Sequence, residues 1–143
     1  MKPLFGYGTF RKAAWRERIL GAPYPAQPAT LRGYRRIACG SGYLSLRETL
    51  VDVGLIEGVL IELDEVGWRV ADAWEEVPKY RRVDVPVNTM NGPVDASTYV
   101  CADDTDATPV DDDRFATITD AEVEASIAWF ERVVRHLRGP TSP

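Results

Sequence analysis

Toward the end of this sequence Val123, Ile127, Phe130, Val134 and Leu137 recur at spacings of four, three, four and three, and no other feature limits the fold as much. That rhythm puts every apolar side chain on one stripe of an α-helix. Thr119 and Glu122 stand in front of it as a capping box, and Gly139 and Pro140 stop it. Such a helix is marginal in water by itself, so it needs a body to lie on.

The rest of the chain supplies that body mostly as strands. Leu4 to Tyr7 is a short apolar run entering a tight turn at Gly8 and Thr9. Arg11 to Leu20 reads as a helix, stopped by Gly21 and the prolines at 23, 25 and 28. Strands are expected over Ala29–Ala38 and Tyr43–Arg47, split by Gly40-Ser41-Gly42, and over Leu55–Leu63, where Leu55, Val59, Ile61 and Leu63 recur every second residue apart from Glu57, with Glu62 on the other face. Asp64 suits the N-cap of a helix with Val66, Val70, Ala71 and Trp74 on one face, ended by Pro78. Tyr80–Val87 and Val94–Cys101 form a hairpin through Asn91-Gly92, and an acidic loop from Ala102 to Asp113 leads to the last helix. Roughly six strands, interrupted by an early, a middle and a terminal helix, predict an α+β fold with a curled, mostly β core rather than a doubly wound sheet. No repeat, linker or low-complexity segment divides it, so residues 1–143 read as a single domain.

Charge narrows the partners. A net charge of −5 with scattered Lys and Arg leaves no basic stripe, which argues against nucleic acid and anionic membrane. The first residues carry no long apolar region, so the expected location is cytoplasmic. Cys39 and Cys101 are then expected as free thiols. Two isolated cysteines and a single His lack the ligand-pair spacing of a zinc site. The aspartates between 103 and 113 lack the glycine-bearing loop of an EF-hand, and Pro109 interrupts them. No metal is expected. His136, in the last helical turn, suits a structural cation.

Two segments carry chemistry. Phe5-Gly6-Tyr7-Gly8-Thr9-Phe10-Arg11 is a strand end whose two glycines allow a sharp turn with N–H groups near a ligand. On pattern alone a plain tight turn is the favoured reading, because a G-x-G pair is common. The second is Asp72-Ala73-Trp74-Glu75-Glu76-Val77-Pro78-Lys79-Tyr80-Arg81-Arg82. Glu75 follows a residue of the apolar stripe and precedes a chain reversal, where partial desolvation raises a carboxyl pKa toward useful values. A solvated helix end is the plainer reading, although the macrodipole favours cations there. Arg81 and Arg82 alternate faces on a strand, so at most one can point at a pocket. The four tryptophans suit core or interface.

The order Phe-x-Tyr-Gly-Thr-x-Arg, then Gly42-Tyr43-Leu44, Glu57-Gly58-Val59, Asp72-x-x-Glu75, Tyr80-Arg81-Arg82 and Ala96-x-x-Tyr99-Val100 resembles the gamma-glutamylcyclotransferase-like superfamily, nearest its short gamma-glutamylamine-cyclotransferase-like branch. The resemblance implies a small mixed β-barrel with flanking helices, and release of 5-oxoproline from a small-molecule gamma-glutamyl amide without metal or cofactor. It implies Glu75 as the acid/base. Tyr7, Gly8, Thr9 and Phe10 would be the turn that holds the glutamyl end, with Tyr43 and Tyr80 bordering the pocket. Glu76 stands where such sequences usually have glycine, Leu44 where many have proline, and Phe10 where leucine is usual. A non-catalytic binding module of the same fold, and an amide hydrolase in which Glu75 activates water, are the alternatives. A carboxylate in the pocket gives a pure binder of an anionic group nothing.

Overall fold

Leu4 and Phe5 are neighbours and both completely buried, yet they belong to different apolar clusters, and that division organises the molecule. The computed structural model describes residues 2–38, 44–49, 55–76, 79–102, 108–109 and 119–139. Their strands are β1 (Leu4–Gly6), β2 (Ala26–Leu31), β3 (Tyr34–Ala38), β4 (Leu44–Glu48), β5 (Ile56–Ile61), β6 (Tyr80–Thr89), β7 (Gly92–Cys101) and β8 (Thr108–Pro109). The helices are α1 (Ala13–Leu20), α2 (Glu65–Trp74) and α3 (Asp120–Arg138), with a 3-10 turn over Thr9–Arg11.

Five strands close into a barrel in the order β1-β5-β2-β6-β7. It is mixed: β1 runs antiparallel to β5 and parallel to β7, where Leu4 faces Ser97. Successive side chains on a strand point to opposite faces. Phe5, Leu60 and Val100 therefore enter a cluster that draws on all five barrel strands, whereas Leu4, Ile61 and Tyr99 join the helices outside. That double burial explains why β1 and the later half of β7 lack polar alternation. The second sheet, β4-β3-β8, is three-stranded. The fold is α+β: a small mixed barrel with flanking helices.

The terminal helix behaves as its pattern requires. Thr119 caps it by accepting from the Glu122 N–H, and Val123, Ile127, Phe130 and Val134 are buried, each worth about 1.5–3 kcal/mol of apolar burial. Arg18 of α1 bonds both Glu124 and Glu131 of α3, and Arg138 donates to the Leu20 carbonyl at 2.7 Å. Asp64 caps α2, accepting from the Gly67 N–H at 2.7 Å.

Several expectations change. The single strand expected over Ala29–Ala38 is two, β2 in the barrel and β3 in the second sheet, because Gly33 at φ 85° turns the chain between them. The early helix is broken: Lys12 is extended between the 3-10 turn and α1. In the β6–β7 hairpin the loop residues are Met90 and Asn91, and Gly92, at φ 108°, pairs with Thr89 to open β7. The acidic segment contributes β8, and its aspartates lie outside the described residues. The expectation of free thiols fails at Cys101, which is disulfide-bonded; Cys39 is outside the described residues. A compartment argument cannot see what the fold does here, which is to bring β4 against the end of β7, so that the Cys101 N–H donates to the Ser45 hydroxyl at 2.8 Å. No described helix is long and apolar enough to cross a membrane.

Candidate functional site

β1 delivers its chain end to the same place as the end of α2. Gly6 lets the following turn fold back onto the strand end, since a Cβ there would stand 2.7 Å from that of Phe10. The chain then turns through Gly8, whose carbonyl accepts from the Arg11 N–H at 3.0 Å. The first N–H groups of such a turn have no acceptor within it. A Cβ at Gly8 would meet nothing within 4 Å, so this backbone faces open space.

That space is a recess of about 40 Å³, room for a group of a few heavy atoms. Tyr7, Gly8, Thr9 and Phe10 line it together with Trp74, Glu75 and Tyr99. The side chains of Tyr7 and Phe10 serve the two cores, so the groups this turn offers a ligand are main-chain ones. The Tyr7 hydroxyl donates to the Tyr99 carbonyl. Its pKa is pushed well up by burial first and by the Glu75 charge second, which keeps it a donor.

Glu75 caps α2, its N–H bonded to the Ala71 carbonyl at 3.0 Å. The residue keeps some exposed surface, but its carboxyl is enclosed, and desolvation, helped by the charge of Glu76, lifts its pKa to about 8. Glu76 has φ 54°, the left-handed conformation that ends helices and favours glycine. The substitution read from the sequence thus falls where the backbone asks for glycine, and the turn is kept regardless.

A second cavity, of about 570 Å³, opens beside Glu75 between the end of α2 and α3. Trp74 and Glu75 line both spaces. Tyr80 is buried and borders this outer groove, and it does not line the recess. Tyr43 lies outside the described residues. Arg82 turns away to Asp72, its Nε 2.9 Å from Oδ1, with its guanidinium over the Trp68 ring. Asp72 also accepts from the Tyr99 hydroxyl at 2.5 Å. Burial, then that bond, raises the Tyr99 pKa, so it stays protonated.

Sequence reasoning missed Trp74 and Tyr99 as walls of the recess and Trp129 as a wall of the groove. Trp74 read as core because its stripe position is real; its ring also packs edge-on against Phe130 at 5.2 Å. Among the described residues no group of three His, Cys, Asp or Glu could hold a metal ion.

Among curated proteins none matches the sequence significantly. An Arabidopsis thaliana protein of known solution structure is 25% identical, with a TM-score of 0.61 over 97% of this chain and 85% of that one. A structure named gamma-glutamyl cyclotransferase is 13% identical, with a TM-score of 0.62 over 99% and 89%. An AIG2-like protein of Mus musculus is 19% identical, with a TM-score of 0.54 over 71% and 78%. The last two speak for the fold alone. The family model described as gamma-glutamyl cyclotransferase, AIG2-like, matches residues 4–118, which hold β1, its turn and the whole of α2. By that match over most of its length, and by a mixed barrel of the same fold, the chain belongs to the AIG2-like gamma-glutamyl cyclotransferase family.

Proposed function

We propose that the chain releases 5-oxoproline and a free amine from a gamma-glutamyl amide, with Glu75 as acid/base. One observation carries this reading: a carboxyl whose pKa lies at about 8 shares a recess with the Tyr7–Phe10 turn. A base so tuned is matched to an α-ammonium near neutrality. The α-nitrogen bonds to the carbonyl carbon of the γ-amide, and the bond from that carbon to the amide nitrogen breaks. In the balance the attacking nitrogen gives up two protons and the leaving nitrogen gains two, so Glu75 passes protons between them and is regenerated. Main-chain N–H groups of the turn would meet the developing oxyanion. The reaction is intramolecular, so fixing the folded glutamyl rotamer supplies much of the rate.

Mass spectrometry of products from a panel of gamma-glutamyl amides tests the reading. 5-Oxoproline is expected; free glutamate would instead make the chain a hydrolase, and no product a binder. A cytoplasmic setting is part of the reading, although the disulfide at Cys101 is unusual in a reducing compartment.

A further inference from the structure

Trp129 is 67% exposed on a helix whose other large apolar residues go inward, so core packing does not account for it. It lies on the wall of the outer groove, opposite Trp74 and Tyr80, with Phe130 and Val133 beside it. The groove has the volume of a small-molecule site, whereas the recess has room for only a few heavy atoms. The two spaces share Trp74 and Glu75 as their common wall.

We infer that the outer groove is the subsite for the amine half of the substrate, and that it selects an uncharged amine with a flat aromatic body. This rests on the cyclotransferase reading of the recess. A γ-carbonyl held at Glu75 with its oxygen toward the turn in the recess leaves the groove for the leaving nitrogen's substituent, because Glu75 lines both spaces. The groove's rings favour an aromatic guest, packed edge-on or offset against Trp74 and Trp129. A charged guest gains less, since the charges at the rim already face each other. Lys79 and Glu76 lie 3.8 Å apart as an ion pair at the rim, so neither charge is left uncompensated for a carboxylate or ammonium on the amine.

The test compares 5-oxoproline release from gamma-glutamyl phenethylamide and gamma-glutamyl methylamide. The wild-type chain is expected to favour the phenethylamide by at least ~10-fold in kcat/KM, the worth of a modest aromatic contact. Trp129→Ala is expected to abolish that preference, and Trp129→Phe, which keeps a ring, to retain part of it. Because Trp129 is exposed, its truncation opens no core cavity. Equal turnover of both amides by the wild type, or a preference untouched by Trp129→Ala, overturns the subsite and leaves the cyclotransferase reading standing. If neither amide is turned over, calorimetric binding decides separately. Tighter binding of the phenethylamide that depends on Trp129 upholds the subsite; binding independent of Trp129, or none, overturns it, while products from the wider panel of amides decide the cyclotransferase reading. A dimer in size-exclusion chromatography that Trp129→Ala converts to monomer would give the groove to a second copy, and overturns the inference.

Discussion

The indole N–H of Trp74 donates a 3.2 Å hydrogen bond to the hydroxyl of Thr9, across 65 residues of chain. It ties the turn after β1 to the last residue of α2, and so sets the distance between the N–H groups of the turn and the carboxyl of Glu75. Thr9→Val keeps the shape but removes the acceptor. Such a loss is worth about 1 kcal/mol of stability, and kcat/KM is expected to fall roughly 10-fold because the two halves of the site lose their fixed spacing. Thr9→Ser restores the acceptor and should recover both. Thermal unfolding and turnover measured on the three proteins check this. An unchanged rate in Thr9→Val would separate the bond from the chemistry.

Glu75→Gln keeps size and hydrogen bonding but cannot accept a proton. Its kcat is expected to drop at least ~100-fold, and wild-type kcat/KM to fall as pH is lowered through about 8. Stability moves the other way. Below pH 4.5 the carboxyl is neutral folded and unfolded alike; as pH rises toward 8 the unfolded state ionises first, and the folded state loses ground. The Tm of Glu75→Gln should therefore gain on the wild type between pH 5 and pH 9, a result that needs no substrate. Parallel melting curves across that range would show instead that the carboxyl is solvated.

Glu76 allows backbone and charge to be separated. Glu76→Gly relieves a left-handed conformation at φ 54° and should stabilise by about 1 kcal/mol. Glu76→Gln leaves the backbone as it is. Both remove the charge that helps raise the Glu75 pKa, so both should move the acidic limb of the rate profile downward, while only the glycine variant raises Tm. Should Glu76→Gln abolish turnover while Glu75→Gln retains it, the acid/base lies one residue further on.

Much of this protein is written locally. The capping box and apolar stripe of α3, the Asp64 cap of α2 and the hairpin of β6 and β7 rest on contacts a few residues long, and residue type and spacing determine them. The two chemical segments are legible for the same reason, since a glycine turn and a helix-end glutamate are local features. What only the tertiary structure decided is where distant segments meet. Closure of β1 against β7 put Leu4 and Phe5 in separate cores, Gly33 divided one apparent strand between two sheets, and the end of β7 met β4 beside a disulfide-bonded Cys101. The recess exists because Trp74 reaches Thr9, and the groove because α3 lies beside α2 with Trp129 left outside. Those arrangements follow from burying apolar faces against one another, a property of the closed chain as a whole that no stretch of sequence specifies alone.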